Sequence, residues 1–298
     1  MKKSSLFLLS ILFALSFNNA YPQHAKLRQE IRNIAAAAKG ITGVAMILIE
    51  DSDTLSYNGN ARMVMQSVMK FPIALTVLNQ VDHGKLKMDQ QLFITKNDLP
   101  KTYSPLRDKY PEGNVSVSIG ELLKYSVSFS DNNACDILLK KIGGTKAVTD
   151  YLTEIKIQGI SINASESQMG ANWQAQYTNW CRPVDMAHLL TLFFNGDALT
   201  TTSTIFLMKI MQETQTGPKR IKNSLPSRTI VAHKTGTSGT NQEGLSPATN
   251  DIAIISLPDG KHLALAVFVC NSKADLSVRE EVIANISKAA WDTFTIAK

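Results

Sequence analysis

Segments rich in β-formers lie at the two ends of this chain and helical ones fill the space between, an order that few folds accommodate. Ile41 to Glu50 reads as a strand, turned by Asp51-Ser52-Asp53 into Thr54 to Tyr57. Thr229 to His233, Asp251 to Leu257 and His262 to Cys270 repeat the pattern near the end, with Pro258-Asp259-Gly260 as a hairpin turn. The middle has helical punctuation instead. Ser67 to His83, closed by Gly84, is apolar on most sides and predicts a buried helix. Ser118 and Glu121 form a capping box ahead of Leu122-Leu123. Asn132 to Ile142 (stopped by Gly143-Gly144), Thr145 to Ile155, Pro183 to about Gly196 and Thr202 to Glu213 complete the helical part. One helix precedes the first strand, Lys26 to Lys39 ended by Gly40, and another closes the chain, Val278 to Phe294 capped by Ser277 and Glu280. Gly159 to Trp180 has no period and is rich in Ser, Asn and Gln; it reads as a long loop, a length usually functional or disordered. The expected fold is therefore α/β in the α+β sense: one antiparallel sheet formed by both chain ends, flanked by the terminal helices, with an all-helical lobe packed against it. No linker or internal repeat divides residues 21–298, so one domain is expected there.

Residues 1–20 carry an address. Lys2 and Lys3 precede an apolar run from Leu6 to Phe17, and small or polar residues follow up to Ala20, the pattern of a secretory signal. The run is shorter than the roughly 20 residues that span a bilayer. No cysteine stands near the cleavage point for a lipid anchor, and no later segment is apolar enough to cross a membrane. A periplasmic or secreted protein without a membrane anchor is expected. Removing Lys2 and Lys3 lowers the formal charge from +6 to +4, a mildly basic balance, and no dense Lys/Arg tract with interleaved aromatics points to nucleic acid. Cys135, Cys181 and Cys270 are odd in number and their pairing is not deducible. Neither they nor the five scattered histidines have metal-ligand spacing, which argues against a zinc hydrolase.

Three short motifs carry chemistry. In Ser67-Val68-Met69-Lys70 the serine and lysine fall on one face of a helix, where a lysine of lowered pKa can take the serine's proton; a serine at the helix start also meets the positive end of its dipole. Alone, the tetrad is weak evidence. Ser130-Asp131-Asn132 lies at a helix boundary and by itself reads as a cap. Lys234-Thr235-Gly236 follows a strand, where a small glycine lets a ligand approach the backbone; by itself it is an ordinary edge strand.

Taken together, each once and in this order, the motifs resemble the set of class A serine β-lactamases and penicillin-binding proteins. The resemblance to class A β-lactamases spans nearly the whole chain beyond residue 20. It implies hydrolysis of penicillins and cephalosporins through a Ser67 acyl-enzyme, without metal or cofactor, in a protein expected to be a monomer that acts on small β-lactams. Within it Ser67 is the nucleophile, Lys70 a candidate base, and Ser130 the relay to the leaving nitrogen. Asn132 binds a substrate amide, while Asp131 braces its loop. Lys234 and Thr235, with Gly236, hold a carboxylate. The N–H groups of Ser67 and Thr237 face the oxyanion, and Tyr103, in Tyr103-Ser104-Pro105, stands at the cleft mouth. Glu166 sits where the family carries the carboxylate that activates the deacylating water, which separates a lactamase from a DD-peptidase or from a non-catalytic β-lactam sensor that stays acylated. Arg220 reads either as a second cation for the substrate carboxylate or as a surface charge among Lys219 and Lys222.

The resemblance frays around Glu166. Gly170 stands where the family usually has a water-holding asparagine. Ala164 and Asn179 stand where it commonly has an arginine–aspartate pair, and Gln66 replaces the half-cystine often found before the nucleophile. With Thr237-Ser238-Gly239 these departures resemble the extended-spectrum, cephalosporinase-like branch, in which a remodelled loop would admit larger side chains.

Overall fold

The computed structural model describes residues 20–296, with side-chain surroundings from 23 to 295. The leader expected over residues 1–20 thus lies outside the described residues apart from Ala20. Helix α1 (Ala20–Ala35) runs into a 3-10 turn, Ala36–Ala38, and leads to strands β1 (Ile41–Leu48) and β2 (Asp53–Tyr57). The last three strands of the chain, β8 (Val231–Thr237), β9 (Ser246–Ser256) and β10 (His262–Ser272), complete a five-stranded antiparallel sheet of order β2-β1-β10-β9-β8. The two ends of the chain meet at its centre, where Ile41 opposes Cys270 and Leu48 opposes Leu263. Gly40 does more than end a helix. A Cβ there would lie 2.7 Å from the carbonyl oxygen of Cys270, so the first strand can enter beside β10 only without a side chain.

Alternation along the strands gives the sheet two buried faces. Val44, Met46, Ile255, Leu265 and Val267 pack with Leu27 and Ile31 of α1 and with Val282, Ile283 and Ile286 of α10 (Leu276–Ile296). The opposite set, including Ala45, Ile252, Ile254, Ala266 and Phe268, faces the helical lobe. At the centre of that lobe is α2 (Lys70–Asp82), buried from Lys70 to Leu78. Around it are α4 (Ile119–Ser128), α5 (Asn132–Lys141), α6 (Thr145–Glu154), α8 (Pro183–Asn195) and α9 (Thr201–Gln212). A short hairpin, β4 (Gln91–Thr95) with β5 (Gly113–Ser118), holds α3 (Pro105–Lys109) between its strands in sequence. No helix among the described residues is long and apolar enough to cross a membrane.

Four expectations change. The helix expected from Ser67 is a 3-10 turn over Gln66–Met69 before α2 proper begins at Lys70, so Ser67 sits in the tighter turn. Lys234-Thr235-Gly236 lies within β8 rather than after it. The presumed loop from 159 to 180 is folded: β6 (Ile160–Ser161) and β7 (Trp180–Cys181) join β3 (Met63–Val64) in a small sheet around α7 (Glu166–Ala171) and a 3-10 segment, Trp173–Thr178. Its polar residues cap these short elements and carry no hydrophobic period, which is why the segment reads as coil. The last helix begins at Leu276, so Ser277 is inside it, and Glu280 is engaged by Arg220 instead of capping. Cys135, Cys181 and Cys270 are buried free thiols.

Candidate active site

The helix lobe and the β8 edge of the sheet enclose a cavity of about 400 Å³ lined by Ser67, Tyr103, Ser130, Asn132, Glu166, Thr235 and Thr237 among others. The Ser67 turn is pinned from both sides. The Asn250 side chain on β9 donates to the carbonyl oxygens of Val64 and Met65, and the Met65 N–H donates to Asn179 O. Gln66 follows with φ +47°, a left-handed conformation costly for a non-glycine residue. Ser130 shares it, at φ +58°, on the opposite wall. Strain of this kind persists where the surroundings over-determine the backbone.

Ser67 Oγ accepts from Lys70 Nζ at 3.1 Å and reaches Glu166 Oε1 at 3.3 Å, while Lys70 Nζ and Glu166 Oε1 are 3.0 Å apart. Both candidate bases therefore touch the hydroxyl directly. Lys70 is completely buried and also donates to Asn132 Oδ1 and to the Ser130 carbonyl, both at 2.7 Å. Ser130 Oγ accepts from Lys234 Nζ at 2.9 Å and lies 3.5 Å from Lys70 Nζ, so one hydroxyl links the two ammonium groups. Burial, reinforced by the charge of Lys70, holds the Lys234 ammonium well below the usual lysine range, with Glu166 and Asp251 opposing.

Asp131 braces this wall. Its carboxylate accepts from Ser104 Oγ and from the N–H groups of Leu106 and Ala134, which ties the Tyr103 loop to α5. Tyr103 itself is exposed at the mouth. Across the cleft, β8 is the edge of the sheet. Ser238 N–H bonds to Ala248 O of β9, so the preceding Thr237 N–H, pointing the opposite way as strand geometry requires, faces the cleft. Gly236 makes room for the protein itself: a Cβ there would lie 2.4 Å from Met65 O and 3.3 Å from Ser67 N. The glycine thus seats the Ser67 turn against the strand, a closer contact than the ligand approach expected from sequence.

Arg220 is buried, which removes the reading of it as a surface charge. It donates to Gly236 O, Asn250 O and Thr237 Oγ1, and pairs with Glu280 at 3.2 Å. It stands behind the strand and reaches the cleft through Thr237.

Glu166 begins α7, capped by a Ser165/Gln168 box. Asp136, unremarked in the sequence, accepts from the N–H groups of Glu166 and Ser167, both at 2.8 Å. Burial pushes its carboxyl above the usual range. The cue was available: Asp136 lies four residues after Asn132, on the same helix face. Asn179 takes over the loop closure, accepting from the N–H groups of Asn163 and Ala164 and donating to Ala164 O. Gln66 Nε2 donates to Gln176 Oε1 at 2.6 Å, a second tie between the Ser67 turn and the loop. Among the described residues no cluster of three or more His, Cys, Asp or Glu could hold a metal ion.

Residues 26–294 match the beta-lactamase enzyme family. The chain is 44% identical to beta-lactamase VEB-1 of Pseudomonas aeruginosa, over 98% of each chain. It is 40% identical to extended-spectrum beta-lactamase PER-1 of the same organism, over 95% of this chain and 92% of that one. A class A beta-lactamase from Bacteroides cellulosilyticus superposes with a TM-score of 0.88 at 36% identity, covering 92% of this chain and 99% of its own. A beta-lactamase from Chitinophaga pinensis gives 0.89 at 48% identity, over 91% and 100%. The chain belongs to the class A β-lactamases.

Membership sharpens the meaning of the altered loop. A class A β-lactamase with Ala164 and Asn179 closes this loop by amide hydrogen bonds to the backbone, where an ion pair is common in the family. Gly170, at the end of α7, faces open space: a Cβ there would meet nothing within 4 Å.

Proposed function

We propose that this β-lactamase, a serine hydrolase of β-lactam antibiotics, works through a Ser67 acyl-enzyme with Glu166 releasing it, and that it favours cephalosporins. The observation that carries the residue roles is the contact of one hydroxyl, Ser67 Oγ, with both Lys70 Nζ and Glu166 Oε1. In the first stage the hydroxyl loses its proton to Lys70 or Glu166 and attacks the lactam carbonyl carbon. The oxyanion is held by the N–H groups of Ser67 and Thr237, where one such donor is worth about 3–4 kcal/mol in the transition state. The C–N bond breaks as Ser130 passes a proton to the nitrogen, replenished along its contacts with Lys234 and Lys70. In the second stage Glu166 takes a proton from water, which attacks the ester, and Ser67 recovers its hydrogen. Lys234, Thr235 and, through Thr237, Arg220 receive the substrate carboxylate beside Gly236; Asn132 takes the side-chain amide and Tyr103 flanks the entrance.

Cephalosporin preference is supported by the remodelled loop and by the extended-spectrum relatives. Residues 1–20 are read as an export signal and 21–298 as one catalytic domain, acting as a monomer in the periplasm or outside the cell.

The test mixes the purified protein with a chromogenic cephalosporin and follows turnover together with covalent mass. Sustained turnover is expected, as is accumulation of the acyl-enzyme in Glu166→Ala, since a general base contributes about 10²- to 10⁴-fold. Unchanged deacylation in that variant would remove Glu166 from its role. A stable adduct on the unsubstituted protein would favour a penicillin-binding or sensing role, and faster turnover of penicillins would overturn the cephalosporin preference.

A further inference from the structure

Directly behind the cleft wall lies a buried acid–histidine pair that none of these steps uses. Asp251 on β9 opposes Thr235 in the sheet register and is completely buried. Both its oxygens face His233 Nδ1, at 3.1 and 3.2 Å, and Oδ2 also accepts the N–H of Ile221 at 3.2 Å. With the carboxylate ionised, His233 must present Nδ1–H to it. His233 is buried too, and among the described residues its Nε2 has no hydrogen-bond partner.

Ile221 is the residue after Arg220, and its turn, Ile221–Ser224, has Arg220 at its N-cap. Arg220 makes no side-chain capping bond there. The buried N–H at the start of this turn is answered by Asp251, which fixes the backbone from which the Arg220 side chain departs towards Gly236 and Thr237. Asp251 is also one of two carboxylates that oppose the loss of the proton from buried Lys234. The geometry thus links Asp251 to the Arg220 backbone at the carboxylate-binding wall.

We propose that His233 and Asp251 form a positioning pair for recognition of the substrate carboxylate: His233 orients Asp251, and Asp251 sets the place of Arg220. The proposal rests on the hydrolytic reading and adds to it two residues that touch no reacting atom. It differs from a packing role in one respect, since it concerns the carboxylate of the substrate and leaves the ring-opening steps untouched.

The experiment compares a cephalosporin with its carboxylate methyl ester, measuring kcat and KM for the unsubstituted enzyme and for Asp251→Asn. The amide keeps the size of the side chain and an acceptor for Ile221, and loses the charge. For the free acid KM should rise about tenfold, the size of one lost charge-assisted interaction, with little change in kcat. For the ester, KM should stay where it was. His233→Asn, which retains a donor towards Asp251, should restore most of the carboxylate preference that His233→Leu loses; this pair carries the same comparison if Asp251→Asn does not fold. Equal losses on acid and ester, or no change in KM, would overturn the proposal. An unsubstituted enzyme that turns over neither compound would instead remove the hydrolytic reading, and the proposal with it.

Discussion

Lys234 has no exposed surface, and a buried ammonium gives up its proton more readily than an exposed one. Its pKa in the folded protein lies well below the ordinary 10.5, through burial first and the neighbouring Lys70 charge second. As pH rises through that lowered value the cation proposed to hold the substrate carboxylate is lost, so kcat/KM should fall on the alkaline side earlier than an exposed lysine would allow, mainly through KM. Stability moves the opposite way. Between the lowered folded value and the unfolded 10.5 the unfolded chain holds the extra proton, so this group's contribution to stability rises with pH across the window. A pH profile of Lys234→Arg, whose guanidinium stays charged, should move the alkaline limb upward; an unmoved limb would assign it to another group. Gly236 gives a second residue-scale test. A methyl group 2.4 Å from Met65 O forces the Ser67 turn away from β8. A displacement near 1 Å costs roughly 100-fold in rate, so Gly236→Ala should lose acylation by about that factor; near-normal pre-steady-state acylation would refute the tight seat.

At the scale of elements, α7 and the 3-10 segment after it are too short to hold themselves, and their geometry depends on side chains from elsewhere. Asn179 is fully buried and answers three backbone groups of residues 163 and 164. Asn179→Ala should cost about 1–3 kcal/mol for each buried group left unsatisfied, read as a lower Tm, and should slow deacylation more than acylation because Glu166 starts the adjoining helix. Equal slowing of both stages would show that the loop supports the whole cleft. Asp136 bears on the same helix from α5, through the first two N–H groups of α7. Sequence periodicity could not reveal this arrangement: the 159–180 segment has no apolar stripe, and its order comes from polar contacts with residues distant in the chain. The larger helices were legible because their stripes and stops are local. The entry of Lys234 into β8 was not, since pairing with β9 extends the strand beyond its own β-formers.

At the scale of the molecule, β1 from one end of the chain lies between β2 and β10, and β10 pairs with β9, so the sheet closes only when both ends are present. The helical lobe packs on one face of that sheet and α1 with α10 on the other. Denaturant unfolding should therefore be one transition. Far-UV circular dichroism and tryptophan fluorescence, reporting on Trp173 in the 3-10 segment, Trp180 in β7 and Trp291 in α10, should give the same midpoint; separated midpoints would mean that the lobe holds without the sheet.

Local pattern in the chain was enough to determine the α+β class, the sheet shared by both termini, and the three motifs, because turns, stripes and short spacings are written in neighbouring residues; Glu166 was singled out only by the resemblance to class A β-lactamases. Local pattern left Arg220 undecided between cleft and surface, took the Glu166 loop for coil, and passed over Asp136 and the partnership of His233 with Asp251. Those were settled by tertiary structure alone. Burial, the close approach of Gly236 to Met65 and the capping of one segment by an acid from another are properties of residues far apart in sequence. Their energies exist only once the sheet has brought them together.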